Sequence, residues 1–102
     1  MYTDNIMVEV SGGIEFDWDA GNTRHLKRHR VTRDEFEELM TGDPVYLEYR
    51  SRGIEERYKV LGMTAAGRIL IGVWTPREGK VRAVTSYAAS RAYQDLFRET
   101  LG

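Results

Sequence analysis

The chain has 102 residues, of which 41% are hydrophobic and 30% charged, with a formal net charge of −1 and no cysteine. This balance is typical of one globular domain and excludes a disordered chain, disulfides and thiolate metal sites. No apolar run approaches the about 18 residues of a membrane-spanning helix, and no secretory signal pattern is present. We therefore expect a cytoplasmic protein with no membrane partner. The net charge argues against a globally basic surface but is compatible with a basic patch on one face.

The first 13 residues are expected to form a flexible or accessory segment, because the run Ser11-Gly12-Gly13 follows a short apolar stretch. A single domain is expected over residues 14–102. It begins with alternating apolar and polar residues over 14–18, a pattern that predicts a half-buried strand. Asp19 follows at a position that caps a helix, which we expect over residues 20–29.

The second predicted helix has the clearest local signature of the chain. Thr32 and Glu35 have the spacing of a capping box, and Val31 and Phe36 have the spacing of the hydrophobic staple that accompanies it. Gly42 stands where a glycine commonly ends a helix. The helix is therefore predicted to begin after Thr32 and to end at Gly42.

The second half of the chain is predicted to contain four strands and a helix. We expect strands over residues 45–49, 57–61, 69–75 and 80–87, and a helix from residue 88 onward. The unbroken apolar run of the third strand is typical of burial on both faces. Turns are predicted over residues 50–53 and 76–79. This order indicates an α+β fold with two N-terminal helices, a mostly antiparallel sheet and a C-terminal helix.

Strict alternation along the last predicted strand has a consequence for its polar side chains. Arg82 and Tyr87 are expected on opposite faces of the sheet, and they would share a site only across a bend or a bulge.

Five short motifs follow one another along the chain. They are Phe16-Asp17-Trp18-Asp19; Asn22 with His29 and Val31; Glu55-Glu56-Arg57-Tyr58 with Leu61-Gly62; Gly67-Arg68-Ile69-Leu70; and Thr75 with Arg77 and Arg82. In this order and spacing they resemble the motifs of the BrnT family, toxins of type II toxin–antitoxin modules. The resemblance extends from about residue 14 to residue 97. It implies a RelE-like fold, an RNA-cleaving toxin that inhibits translation and growth, and a small DNA-binding antitoxin as the cognate partner.

The sequence departs from the family pattern at three positions. Arg30 replaces the glycine of the family's His-Gly pair, Tyr87 stands where the family has an arginine, and Tyr93 lies near its acidic residue in the C-terminal helix. These departures leave open a second interpretation, a non-catalytic interaction module of the same fold that binds an antitoxin-like partner.

Metal-independent RNA cleavage requires three things: deprotonation of a ribose hydroxyl, stabilisation of charge at phosphorus and protonation of the leaving oxygen. Arginine suits the second task, because its planar fork matches phosphate. The candidate catalytic residues are Arg57, Arg82, Tyr87 and Thr75, and the candidate RNA-binding residues are Lys59, Arg77, Arg68 and Arg28. Each also has an ordinary interpretation as a solvated or packed side chain. We expect no cofactor.

Two histidines of the first predicted helix were also considered as metal ligands. His25 and His29 are four residues apart, which is a metal-ligand spacing, but no glutamate follows His25 and no third ligand stands nearby. We therefore predict no metal site. The basic residues of this region form either a solvated helix face or a surface that binds RNA or an acidic partner. They are Arg24, Lys27, Arg28, Arg30 and Arg33. A nucleic-acid-binding domain that uses this surface is therefore a third interpretation.

Overall fold

The structure, a computed structural model, describes residues 13–101. The expectation of a flexible or accessory N-terminal segment therefore falls almost entirely outside the described residues. Within them the chain forms three helices and four strands, which confirms the predicted α+β fold class. The elements are α1 (Ala20–Arg28), α2 (Arg33–Thr41), β1 (Val45–Arg52), β2 (Glu55–Met63), β3 (Ile69–Arg77), β4 (Lys80–Ala88) and α3 (Arg91–Leu101). None of the helices described here is long and apolar enough to cross a membrane.

The four strands form one antiparallel sheet in the order β1-β2-β3-β4, and both faces of the sheet carry apolar residues. On one face, Val60 and Leu70 are buried together with Phe36 of α2 and residues of α1. On the other face, Leu61 and Ile71 are buried together with Phe97 of α3. We call these the α1/α2 face and the α3 face. The interior thus consists of two apolar layers separated by the sheet.

The predicted strand over residues 14–18 was wrong. This segment makes a single parallel bridge to β4, at Phe16 and Val81, with two backbone hydrogen bonds of 2.8 Å around it. A strand requires a partner along its length, and this segment pairs with β4 only at this point. Phe16 and Trp18 still pack against the core as the alternation predicted, whereas Ile14 is 47% exposed.

Both hairpin turns are shorter than predicted. Residues 50–52 pair with residues 55–57, so β1 and β2 are joined by only Gly53 and Ile54, and the predicted turn over 50–53 was wrong. Residues 76 and 77 likewise belong to β3, and only Glu78 and Gly79 connect it to β4. Glu78 and Gly79 have φ values of 53° and 77°, the left-handed conformation that a two-residue hairpin of type I′ requires.

The predicted starts of the first two helices are confirmed, whereas the start predicted at residue 88 was wrong, because Ala88 still pairs within β4 and α3 begins at Arg91. The Thr32 side chain accepts a hydrogen bond from the Glu35 N–H, and the Glu35 side chain accepts one from the Thr32 N–H. Asp19 caps α1 in the same reciprocal way, with Asn22 as its partner. Between the helices, Arg30 has a φ of 62°, so this arginine adopts the left-handed conformation that glycine accepts more readily.

Candidate functional site

Helix α1 lies along the outer edge of β4. The Asn22 side-chain amide donates hydrogen bonds to the backbone oxygens of Ala83 (3.3 Å) and Asp17 (3.0 Å). One turn further on, the His25 Nε2 lies 3.2 Å from the Thr85 Oγ1. These bonds fasten the helix to a strand edge that would otherwise expose unpaired backbone groups. They also bring side chains of α1 beside those of β4.

A bulge in β4 changes which side chains share a face. Val73 lies opposite Thr85 and Trp74 lies opposite Ala83, so Val84 is an extra residue in β4. Because residues that are paired across strands share a face, the bulge places Arg82 and Tyr87 together on the α3 face. The sequence predicted this arrangement only if a bend or bulge intervened, and the register contains that bulge.

Helix α3 covers only one end of the α3 face, and the other end is open. The apolar cluster under α3 is formed by residues near the ends of β2 and β3, such as Leu61 and Ile69. Beyond this cluster a depression of about 260 Å³ lies over the sheet. It is lined by Glu48, Arg50, Arg57, Tyr58, Lys59, Val73 and Tyr87. We call this depression the open trough, and it brings together three of the residues that the sequence singled out: Arg57, Lys59 and Tyr87.

The cations of the open trough are held loosely. The Nε and Nη2 atoms of Arg57 donate to Glu55 at 3.0 and 2.9 Å, and both side chains of this pair are about half exposed. The Lys59 Nζ lies 5.6 Å from the ring centre of Tyr93, on α3. Exposed ion pairs of this kind contribute little stability. Arg57 can therefore exchange its carboxylate for a phosphate without disturbing the fold.

Arg82 lies on the same face but is already neutralised. Its Nη2 is 2.9 Å from the Asp19 Oδ2 and its Nη1 is 3.6 Å from the Asp17 Oδ2, with 21% of its side chain exposed. The Arg77 Nε also lies 3.6 Å from Asp17. The pKa of Asp19 is held below its usual value, first by the hydrogen bond from the Asn22 N–H and then by Arg82. Arg82 thus fastens the segment before α1 to β4, whereas Arg77 is more than half exposed and makes only a longer ion pair with the same segment.

Thr75 lies directly opposite Arg82 in the sheet and therefore on the α3 face. Arg28 is exposed on α1, three residues after His25, which makes the two residues neighbours on the helix surface. Thr75 is thus beside the carboxylate-bound arginine, and Arg28 lies next to His25 on α1 without lining the open trough.

Arg68 is not in the open trough. Its Nη1 donates to the Glu35 carboxylate at 2.8 and 2.9 Å and to the backbone oxygen of Arg30 at 2.9 Å. Burial would raise the pKa of Glu35, but the hydrogen bonds from Arg68 and from the Thr32 N–H outweigh it and hold this pKa below its usual value. Arg68 therefore joins the β2–β3 loop to α2 and has a partner that stabilises the fold.

The structure adds two residues, His25 and His29, that the sequence analysis did not name as candidate catalytic or RNA-binding residues. The His25 and His29 rings are 5.3 Å apart, and the His29 ring is 6.3 Å from that of Tyr87. Their spacing on the helix indicated that the two rings are neighbours. Their contacts with β4 join residues about 60 positions apart in the chain, and no local sequence pattern indicates such contacts. Within residues 13–101, no three His, Cys, Asp or Glu side chains lie together in a way that could hold a metal ion.

Comparison with known families gives one match. The model of the family described as "Ribonuclease toxin, BrnT, of type II toxin-antitoxin system" matches residues 18–92 of the chain. These residues include α1, α2 and all four strands, and with them every residue of the open trough. A search of curated proteins found no match.

Proposed function

The chain belongs to the BrnT family of ribonuclease toxins of type II toxin–antitoxin systems, and we propose that it cleaves RNA in the open trough. The family implies an RNA substrate and an antitoxin partner. The observation that carries the proposal is the convergence of Arg57, Lys59 and Tyr87 in one depression of about 260 Å³ on a sheet face. Arg57, Lys59 and the Tyr87 phenol in one open depression can hold a phosphodiester beside a proton-transfer group.

We assign phosphate binding to Arg57 and Lys59. Both project from the α3 face of β2, two residues apart, and so point to the same side of the sheet. Their charges stabilise the negative charge that develops on the phosphate oxygens during attack by the ribose 2′-hydroxyl. Thr75 supports the site with a hydrogen bond, and Arg28 adds a positive charge beside His25.

We assign proton transfer to the group formed by His25, His29 and Tyr87. A base must take the proton of the 2′-hydroxyl and an acid must give one to the departing 5′-oxygen, which leaves a 2′,3′-cyclic phosphate and a free 5′-hydroxyl. Histidine most often performs this chemistry in proteins. These residues take the place of the family's arginine and acidic residue, and Thr85 holds the His25 ring in place.

Arg82 has a positioning role in this proposal, and the exposed Arg77 remains a candidate RNA-binding residue. The carboxylates of Asp17 and Asp19 leave Arg82 little charge to offer a phosphate, but Arg82 fixes the segment that leads into α1. We further propose that a small DNA-binding antitoxin covers the open trough, and that RNA cleavage by the free toxin inhibits translation and growth.

Inducible expression in growing cells tests the proposal. We compare the unaltered protein, the double variant Arg57→Gln/Lys59→Gln and the control variant Arg98→Gln, whose arginine is exposed on α3 and paired with Asp95. Growth arrest with RNA degradation is expected for the first and third proteins and is expected to be relieved in the double variant. Variants of Arg82 are unsuitable here, because they would also loosen the segment before α1.

Purified protein and a single-stranded oligoribonucleotide test the proton-transfer group. His25→Gln, His29→Gln and Tyr87→Phe are each expected to lower the cleavage rate by about 10²–10⁴-fold without loss of the folded state. Intact RNA and normal growth with the folded, unaltered protein would contradict the proposal. Capture of the antitoxin by that same inactive protein would instead support the non-catalytic interaction module.

A further inference from the structure

The β1–β2 hairpin places like charges opposite each other on the α3 face. Arg50 is paired directly with Arg57, and Arg52, two residues further along β1, lies on the same face. Like charges directly opposite each other in a sheet are destabilising. Glu48 and Glu55 each form an ion pair with one of these arginines, but both pairs are exposed and so offset the repulsion only in part.

These arginines line a second depression beside the open trough. It has a volume of about 270 Å³, lies toward the turn of the hairpin, and is lined by Arg50, Arg52, Glu55 and Arg57. Three guanidinium groups and one carboxylate give it an excess of positive charge. It shares Arg50 and Arg57 with the open trough, so the two depressions form one continuous surface from the β1–β2 turn to Tyr87.

We propose that Arg50 and Arg52, beside Arg57, form an anion subsite that binds a phosphodiester of single-stranded RNA outside the linkage that is cleaved. The identity of the ligand rests on the proposed function. The planar fork of arginine binds phosphate through two parallel hydrogen bonds, and a phosphate bound by Arg50 would offset the repulsion between Arg50 and Arg57. Neither Arg50 nor Arg52 has a role in the proposed chemistry, which leaves both free to position the substrate.

The shape of the surface favours the binding of single-stranded RNA. A sheet face recognises nucleic acid by holding backbone phosphates while unpaired bases stack on aromatic rings. Tyr87, at the far end of the continuous surface, is 36% exposed and offers such a ring. A strand that runs from the hairpin to Tyr87 would thus place one phosphate at Arg50 and Arg52 and another at Arg57 and Lys59.

Salt-dependent binding of an oligonucleotide that cannot be cleaved tests the subsite without requiring catalysis. The probe is a fluorescent 2′-O-methyl RNA single strand, and its affinity is measured by anisotropy over a range of salt concentrations. Each phosphate contact contributes about 0.7 to the slope of log affinity against log salt for a single strand. Because Arg50 and Arg52 share one phosphate in this proposal, we expect the magnitude of the slope to decrease by about 0.7 in Arg50→Gln/Arg52→Gln.

Arg98→Gln is the matched control. It removes one exposed, ion-paired arginine that lines a depression with Gly67 and Ile69, at the opposite end of the sheet from the β1–β2 turn. We expect its slope to equal that of the unaltered protein. Thermal melting of all three proteins verifies that the exposed substitutions leave the fold intact.

The outcomes separate the subsite from the proposed function. An unchanged slope in Arg50→Gln/Arg52→Gln would overturn the subsite, even if the enzyme cleaves RNA and even if these arginines bind an acidic segment of a protein partner. Failure of the unaltered protein to bind the probe would also overturn it. A reduced slope in a protein that does not cleave RNA would support the subsite and contradict the proposed catalysis.

Discussion

Replacing Asn22 with alanine would test how α1 is held against the sheet. This side chain is 6% exposed and makes three hydrogen bonds. It accepts one from the Asp19 N–H at 2.9 Å and donates two, to the backbone oxygens of Asp17 and Ala83. A buried hydrogen bond contributes about 0.5–1.5 kcal/mol net, so the loss of three predicts a destabilisation of about 3 kcal/mol.

Urea unfolding followed by circular dichroism measures this loss. Thr23→Ala is the control, because Thr23 lies on the same helix and its hydroxyl accepts one exposed hydrogen bond, from the Arg33 Nε. We expect the control to change the free energy of unfolding by no more than about 0.5 kcal/mol. A loss below about 1 kcal/mol for Asn22→Ala would refute the reasoning, because the amide would then be dispensable for fastening α1 to β4.

Two further predictions concern other parts of the fold. Gly72→Ala should destabilise the protein by about 1–3 kcal/mol in the same unfolding assay, because the new methyl group would lie 3.1–3.4 Å from three buried side chains; an unchanged midpoint would show that α2 can move aside. Glu35→Gln should destabilise by about 1 kcal/mol at neutral pH, through loss of its partly exposed ion pair with Arg68. The folded-state pKa of Glu35 lies below its ordinary value of 4.5, so this stabilisation is complete above pH 4.5 and is lost as the pH falls below it. The urea midpoints of the unaltered protein and of Glu35→Gln should therefore converge in acid. A difference between the midpoints that stays constant with pH would contradict the assignment.

The local parts of the fold were predictable because their causes are local. The Thr32 and Glu35 capping box lies within four consecutive residues, and it formed as the pattern predicts. Asp19 was likewise recognised as a cap, although its reciprocal partner Asn22 was not. The predicted strand over residues 14–18 failed for the opposite reason, because a strand depends on a partner elsewhere in the chain and here that partner is a single position, Val81.

The sequence predicted individual residues of the candidate site but not how they are arranged in space. The sequence analysis named Arg57 as a candidate catalytic residue and Lys59 as a candidate RNA-binding residue, and both line the open trough. The bulge at Val84 has no signature in the sequence, and without it Tyr87 would have been assigned to the other face from Arg82. The contact of His25 with Thr85 is similarly a consequence of how α1 docks on β4, which no short motif encodes.

The attachment of α1 to the edge of β4 also determines at what point of its synthesis the chain can complete the fold. The Asn22 amide and its Ala83 acceptor are 61 residues apart in the chain, so this hydrogen bond cannot form until β4 has been synthesised. A nascent chain can build α2 and the β1–β2 hairpin before β4 has been translated, but it then lacks Tyr87 and the strand on which α1 rests. A truncated translation product that ends before β4 therefore carries the cations of the trough but lacks Tyr87, so that the group of His25, His29 and Tyr87 cannot assemble beside them.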